Sequence, residues 1–123
     1  MNALLTYRRL TETDIPTFVA MRITQLKEEG AQSDLDLEPA LTTYYQKHLT
    51  DGTFVSWLAV DGERIIGTSG MSFVEKPPYY SNPTGKIGLL SSMYTHPDYR
   101  RQGIAWKLLD CVVEEARACG CGA

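Results

Sequence analysis

The chain has 123 residues, a length that suits one hydrophobic core and is too short for two, so we expect residues 1–123 to form a single domain. Its formal net charge of -3 argues against a nucleic-acid-binding protein, which would present a basic face to phosphate groups. Uninterrupted apolar runs are only a few residues long, so the sequence predicts neither a membrane span nor a secretory leader. These features favour a cytoplasmic protein.

The cysteines and histidines do not have the spacing of a metal site. Cys111, Cys119 and Cys121 lie in one short segment, and with His48 and His96 they form neither a CxxC pair nor a four-ligand set. We therefore expect no metal and reduced thiols, as is usual in the cytosol.

The first half of the chain predicts one strand and two helices. The strand covers Leu4 to Leu10, and Thr11 with Asp14 has the spacing of a capping box that starts the first helix, which Gly30 ends. The polar segment 31–37 is expected to be a loop. The second helix starts at Pro39. Its apolar stripe consists of Leu41, Tyr44, Tyr45, His48 and Leu49.

The second half predicts three strands and a helix. Residues 53–60 and 64–74 are rich in β-formers and are joined by Asp61-Gly62, a hairpin signal, while Gly67 and Gly70 indicate a bulge or a close backbone approach. The proline-rich segment 75–84 is expected to be a mobile or partner-facing loop, and 86–95 is another strand. A helix starts at Gln102 and ends at Gly120. Its apolar stripe consists of Ala105, Leu108, Leu109, Val112, Val113 and Ala116.

The segment from Tyr94 to Ala105 carries the clearest chemical signal. A strand passes through a short turn into a helix that opens on Arg100, Arg101 and Gly103. A helix N-terminus has unpaired N–H groups and a partial positive charge, so it binds anions. A glycine there lets the backbone approach a phosphate closely, and arginine is a forked phosphate donor. The sequence therefore predicts a pyrophosphate site.

The segment resembles the acyl-CoA signature of the GNAT N-acetyltransferase superfamily, whose defining positions are filled here by Arg100, Gly103 and Ala105. The chain resembles this superfamily over its whole length. The same pattern includes Pro97, Tyr99 and the pair Leu108-Leu109. The resemblance implies an α/β (α+β) fold with a mixed, mostly antiparallel sheet and flanking helices, in the order β-α-α-β-β-β-α and C-terminally incomplete. It also implies an enzyme that transfers an acetyl group from acetyl-CoA to a primary amine.

The resemblance implies roles for particular residues. Backbone groups of Met93 and Thr95, with Tyr94 between them, would contact the pantetheine arm, and the helix start would hold the pyrophosphate. The cofactor-binding set is Met93, Tyr94, Thr95, Arg100, Arg101, Gln102, Gly103, Ile104, Ala105 and Trp106. A backbone amide near Tyr94 or Thr95 would stabilise the oxyanion.

The general base and the acceptor are less well defined. Many family members have a carboxylate on the strand that here has Leu89 to Ser92, and this sequence has none there. Glu75 is the nearest acidic candidate, and His96 is a weaker one. The acidic segment from Glu28 to Glu38 suits a cationic acceptor by sign, although such a run is more often a solvated loop. A small-molecule amine and a peptide amine both stay open as acceptors.

Two other interpretations stay open. In one, the chain is a truncated or non-catalytic CoA-binding or oligomerising relative of the family. The resemblance implies further strands flanking residues 86–95, and an uncovered strand edge pairs with other chains, so a homodimer could complete the sheet. In the other, Gln102 to Ala105 is a phosphate turn of a nucleotide-binding protein; the sequence lacks a P-loop lysine, so this interpretation ranks last.

Overall fold

The computed structural model describes residues 5–30 and 35–121. Within these ranges the strands are β1 (Leu5–Arg9), β2 (Phe54–Val55), β3 (Trp57–Asp61), β4 (Arg64–Glu75) and β5 (Lys86–Thr95), and the α-helices are α1 (Ile15–Glu28), α2 (Glu38–Asp51) and α3 (Ile104–Ala118). Short 3₁₀ turns cover Glu12–Asp14 and Pro97–Tyr99. Residue 4 of the predicted first strand and residues 31–34 of the predicted loop lie outside the described residues.

The strands form one sheet in which all the described pairings are antiparallel. β3 lies between β1 and β4, and β2 pairs with Met71 and Ser72 of β4. β5 pairs with β4 from Gly67↔Thr95 to Glu75↔Lys86. The mixed α/β class with an antiparallel sheet and flanking helices is confirmed.

The predicted strand 53–60 is divided at Ser56 into β2 and β3. The Ser56 carbonyl accepts a hydrogen bond from the N–H of Leu10 (2.9 Å) and so is used outside this ladder. Opposite the break, the Ser69 hydroxyl accepts from the Trp57 N–H (3.0 Å) and donates to the Trp57 carbonyl (2.7 Å). A side chain therefore replaces backbone groups of β4 in the ladder at this point, so the N–H and carbonyl of Trp57 stay paired where the strand changes direction.

The two faces of the sheet carry different cores. The face under α1 and α2 is built on a buried cluster of Leu10, Ile15, Phe18, Val19, Tyr45, Phe54, Leu58 and Val60. The face under α3 has a smaller buried cluster of Ala59, Ile66, Ile104 and Leu108. Since α3 packs on one face and the helix pair on the other, β5 is contacted from both sides, by α1 and by α3.

Gly67 is where α3 comes closest to the sheet. A Cβ atom on this residue would lie 3.2 Å from Ala59 Cβ, 3.2 Å from Leu108 Cδ1 and 3.3 Å from Ile104 Cγ2. These distances are shorter than ordinary van der Waals contacts. The predicted close approach at Gly67 is thus between a helix and a strand, and it sets the height of α3 above β4.

The start of α1 is held by the capping interaction that the sequence predicts. The Asp14 carboxylate accepts hydrogen bonds from the N–H (2.9 Å) and the hydroxyl (2.8 Å) of Thr11, but the capped turn is 3₁₀ and the α-helix starts at Ile15. Arg8 donates to the same carboxylate at 2.7 and 3.0 Å. These hydrogen bonds, that of Arg8 foremost, lower the pKa of Asp14 to about 2.

The segment between β4 and β5 is a hydrogen-bonded loop built around Asn82, which is 1% exposed. Asn82 exchanges two backbone hydrogen bonds with Tyr79, and its side-chain amide donates to the Lys86 carbonyl (2.8 Å). Thr84 donates to the carbonyl of Gly120 (3.1 Å), just beyond the end of α3. The segment is a loop, as the sequence predicts, with a buried anchor at Asn82 and an exposed ring at Tyr80, and its mobile or partner-facing character stays a prediction.

No helix in the described part of the chain is long and apolar enough to cross a membrane. Among the same residues, no group of three or more histidine, cysteine, aspartate or glutamate side chains could hold a metal ion.

Candidate functional site

The N-terminus of α3 has no side-chain cap. The helix starts at Ile104, two residues later than predicted, because Gly103 takes a left-handed conformation (φ 80°) at the N-cap. The first amide that reaches back to the Gly103 carbonyl is that of Lys107 (3.1 Å). The N–H groups of Ile104, Ala105 and Trp106 therefore have no acceptor within the helix. They form, with the helix dipole, a site for an anion.

Arg101 stands beside this helix start with its charge uncompensated. Its backbone is left-handed (φ 66°), which is uncommon for a residue with a side chain. The side chain is exposed, and its guanidinium makes no hydrogen bond or ion pair with any residue in the ranges 5–30 and 35–121. It is thus available to an external anion.

Arg100 is in a different situation, because its guanidinium is bound to the protein. Its Nε donates to the Thr95 carbonyl (2.8 Å), and its Nη2 donates to the Glu28 carboxylate (3.2 Å) at the end of α1. The guanidinium carbon also lies 5.5 Å from the centre of the Tyr94 ring. The Tyr94 hydroxyl completes this cluster by donating to Glu28 (2.9 Å). These hydrogen bonds, that of Tyr94 first, lower the pKa of Glu28.

A cavity of about 390 Å³ opens at the helix start. It is lined by Thr95, Tyr99, Arg100, Arg101, Gly103, Ile104, Ala105 and Trp106. None of these residues is acidic, and at Gly103 an added Cβ would meet nothing within 4 Å, so backbone is accessible there. The lining fits a phosphate-bearing ligand in charge and in the kind of donors that it offers.

The turn that leads from β5 into this site is fixed to the sheet. The Tyr99 hydroxyl donates a 2.6 Å hydrogen bond to Asp61 at the end of β3, and this bond raises the pKa of Tyr99. The N–H of His96 donates to the Ile66 carbonyl (2.7 Å), and His96 Nδ1 accepts from the N–H of Asp98 (3.2 Å). His96 therefore serves as the cap of the 3₁₀ turn.

β5 contains a bulge close to the site. Thr68 pairs with Tyr94 and Gly70 with Ser91, so one residue of β4 lies opposite two residues of β5, Ser92 and Met93. Ser92 is left-handed (φ 57°), as the first residue of some bulges is. The bulge turns this part of β5 out of regular pairing and re-aims its backbone groups.

Two side chains from different elements hold the bulge. Thr68 of β4 donates to the Ser92 carbonyl (2.7 Å), and Gln25 of α1 donates to the Met93 carbonyl (3.0 Å). Gln25 in turn accepts from Arg22 (2.9 Å). Both carbonyls are therefore satisfied by side chains, as buried backbone groups outside a regular ladder require.

The structure brings most of the predicted site residues together, but not Glu75. Tyr94 is opposite Thr68 at one end of the β4–β5 ladder, and Glu75 is opposite Lys86 at the other end. At a rise of about 3.3 Å per residue, the separation along β5 between Lys86 and Tyr94 is roughly 25 Å. A role for Glu75 in removing a proton stays a prediction from the sequence.

Sequence reasoning missed the residues that hold the site in shape, namely Gln25, Thr68 and Asp61. Gln25 did give a signal, because it lies seven positions after Phe18, on the buried stripe of α1, where an apolar residue is expected. A polar side chain at such a position is usually hydrogen-bonded to a neighbouring element. Thr68 is typical of any strand and gave none.

The profile of the Acetyltransferase (GNAT) family matches residues 18–123, which include every element of this site. The chain belongs to the GNAT family. The resemblance inferred from the 100–105 segment is therefore confirmed. No curated protein matches this GNAT chain.

Solved structures agree with this assignment. A "predicted acetyltransferase" from Clostridium acetobutylicum, solved with acetyl-CoA, is 36% identical with a TM-score of 0.92, over 95% of this chain and 76% of that chain. A GCN5-related N-acetyltransferase from Ralstonia eutropha is 22% identical with a TM-score of 0.87, over 96% of this chain and 79% of that one. An aminoglycoside acetyltransferase from an uncultured soil metagenomic sample, in complex with sisomicin, is 22% identical with a TM-score of 0.69, over 96% of this chain and 73% of that one. The last two show likeness of fold.

Proposed function

We propose that this GNAT protein is an N-acetyltransferase that takes its acetyl group from acetyl-CoA and transfers it to a primary amine. The observation that supports this most directly is the uncapped N-terminus of α3, where free amides and the Arg101 guanidinium face the same cavity at the end of β5. The acceptor is a small-molecule or peptide amine. When bound, acetyl-CoA supplies the acetyl group as a thioester that is activated toward amines.

The main-chain groups that would hold the cofactor belong to residues predicted from the sequence. The N–H groups of Ile104, Ala105 and Trp106 would donate to the pyrophosphate, and Gly103 keeps that backbone accessible. The pantetheine arm would contact the main chain of residues 93–95, whose path is set by the bulge. Charge-assisted hydrogen bonds of about 1.5 to 3 kcal/mol each make a few such contacts sufficient for micromolar binding.

The protein's own part in the chemistry is to place the backbone and to stabilise charge. The N–H of Tyr94 or of Thr95 would donate to the oxygen that becomes negative during amine attack. A lysine-like amine with a pKa of about 10.4 costs about 4.6 kcal/mol to deprotonate at pH 7, whereas an α-amine near 7.8 costs about 1 kcal/mol. Since the stretch Leu89–Ser92 has no carboxylate beside the bulge, an amine of low pKa, or a proton relay through water, suits this site best.

A matched pair of glycine variants tests the cofactor site. Gly103 and Gly120 have nearly the same left-handed backbone (φ 80° and 81°) at the two ends of α3, and an added Cβ meets nothing within 4 Å at either. Gly103→Ala and Gly120→Ala should therefore share the cost of left-handed strain. Only Gly103→Ala should weaken acetyl-CoA binding in calorimetry, by about tenfold, since its methyl group occupies the phosphate approach. Absence of binding to the wild type at millimolar acetyl-CoA would contradict the proposal.

A second candidate function rests on the open edge of β5. Among the described residues no strand pairs with this edge, and Leu89 and Leu90 on β5 are 52% and 47% exposed. An uncovered apolar strand favours pairing with another chain. We therefore also propose a homodimer of this GNAT chain that buries β5, in which acetyl-CoA could be bound without turnover. Light scattering after gel filtration measures the dimer, and amine-dependent release of free CoA across an amine panel would exclude the non-catalytic alternative.

A further inference from the structure

We propose that the two adjacent arginines have different tasks: Arg100 is a positioning residue that is bound to the protein, and Arg101 is the cation that meets the phosphate groups of the cofactor. This inference rests on the proposed function. It reverses the expectation from the motif, in which Arg100 is the position that the family signature specifies and its guanidinium is the forked phosphate donor.

The guanidinium of Arg100 contacts three other residues of the protein. Its guanidinium bonds to the carbonyl of Thr95 (2.8 Å) and to the carboxylate of Glu28 (3.2 Å), and it lies over the ring of Tyr94. Turning toward a phosphate would break both hydrogen bonds and leave the Glu28 carboxylate without its cation. Because the Thr95 contact spans the turn between β5 and α3, the guanidinium fixes the path of the chain into the phosphate site.

The position of Glu28 extends this clamp to α1. Its carboxylate accepts from Tyr94 (2.9 Å) and from Arg100 (3.2 Å), so one side chain at the end of α1 holds both the last part of β5 and the turn that follows. Both partners of the Arg100–Glu28 pair are nearly half exposed. An exposed pair contributes little to global stability, so its role is chiefly to orient the turn.

Arg101 has the opposite properties. Its side chain is exposed, lines the cavity at the start of α3, and contacts no charged group of the described chain. Its left-handed backbone (φ 66°) costs about 1 to 2 kcal/mol in a residue other than glycine. Such a conformation is found at ligand sites, where the surrounding structure enforces it.

The dependence of acetyl-CoA affinity on salt concentration distinguishes the two roles. A direct contact between a cation and a phosphate is screened by ions, whereas the loss of a properly placed loop lowers affinity to the same extent at any ionic strength. The test is acetyl-CoA binding by calorimetry for the wild type, Arg100→Ala and Arg101→Ala between about 0.02 M and about 0.5 M salt. Arg101→Ala should bind about tenfold more weakly at low salt and close to the wild type at high salt. Arg100→Ala also removes a charge from the cavity wall, so part of its effect is screened by salt, but a loss of affinity should persist at high salt because the turn is no longer held.

The free protein gives an independent readout. Arg100→Ala and Glu28→Ala should each lower Tm by about 2 to 4 °C, and their double variant should lower it by less than the sum of the two, because both remove the Arg100–Glu28 contact. Arg101→Ala should leave Tm unchanged. Glu29→Ala is the matched control for Glu28, since Glu29 is also exposed, is adjacent in sequence and makes no described side-chain contact.

The outcomes decide between the two assignments. A loss for Arg100→Ala that disappears at high salt, or an unchanged affinity for Arg101→Ala, overturns the inference while the proposed function stands. Additive Tm losses in the Glu28 and Arg100 double variant also overturn the positioning role. If the wild type itself does not bind acetyl-CoA, the proposed function fails, and the inference fails with it.

Discussion

The hydroxyl group of Thr68 donates a 2.7 Å hydrogen bond to the carbonyl oxygen of Ser92, and both residues are 3% exposed. This bond joins β4 to the bulge of β5 at the point where regular pairing between the two strands is interrupted. A threonine side chain thus supplies the donor that a regular ladder would take from the backbone.

Thr68→Val keeps the shape of the side chain and removes this donor. We expect the buried carbonyl of Ser92 to lose its partner at a cost of about 1 to 3 kcal/mol, measured as the free energy of unfolding in urea. Thr6→Val is the control, because Thr6 is an exposed strand residue on β1 and should change stability by less than about 0.5 kcal/mol. Equal stability of Thr68→Val and Thr6→Val would show that the hydroxyl group does not hold the bulge.

Tyr99→Phe tests the anchor of the turn before α3. The variant keeps the ring, which packs against the α3-side core, and removes the 2.6 Å hydrogen bond to Asp61. We expect the free energy of unfolding to decrease, because only the hydrogen bond is lost and the ring keeps its packing. We also expect acetyl-CoA to bind more weakly, because the turn must be ordered on binding. Tyr80→Phe, at a fully exposed ring, should alter neither quantity.

Gly67 offers a graded test of how closely α3 packs on the sheet. Strand propensity alone predicts that alanine and then valine would improve β4 at this position. The space predicts the reverse order, since a Cβ would lie 3.2 Å from Leu108 Cδ1 and 3.3 Å from Ile104 Cγ2. Gly67→Val should cost about 1 to 3 kcal/mol and Gly67→Ala less, by thermal unfolding. Stabilisation by either substitution would mean that α3 has room to move outward.

The lowered pKa of Asp14 leads us to expect that the protein loses stability in acid. Its pKa is about 2 in the folded protein, below its ordinary value, because Arg8 and Thr11 donate to the carboxylate. Because the pKa of Asp14 is lower in the folded than in the unfolded protein, its ionised carboxylate stabilises the fold at any pH above the unfolded pKa. This contribution is lost as the pH falls from about 4 to about 2. Urea unfolding across this window should show a shallower pH dependence for Asp14→Asn than for the wild type. Asp110→Asn, on the exposed face of α3, should retain the wild-type slope.

The regular elements were predictable because their signals are local. The start of α2 beside Pro39, its end before Gly52 and the hairpin between β3 and β4 all follow from residues that restrict the backbone where they stand. The division of the 53–60 strand at Ser56 was not predictable. It depends on the hydroxyl of Ser69, which comes from another strand and has no sequence signature.

The site shows the same division. The anion-binding start of α3 could be predicted, since glycine and the helix start define it within a few residues. The different contacts of Arg100 and Arg101 could not be predicted, because Arg100 is bound to Glu28, which is distant in the sequence and close in the fold. Likewise, the distance of Glu75 from Tyr94 depends on the register of β4 with β5. Side-chain partners set by tertiary contacts are not encoded in local spacing.

The unequal cores on the two faces of the sheet have a consequence for motion. Local opening needs the least free energy where the fewest buried apolar contacts must be broken, and α3 covers the smaller cluster. An anion bound at the first turn of α3 stabilises only the closed helix and so suppresses that opening along its whole length. Occupancy of the site should therefore slow amide exchange near Val112, which lies more than one helical turn beyond Trp106, the last residue whose amide the ligand would contact.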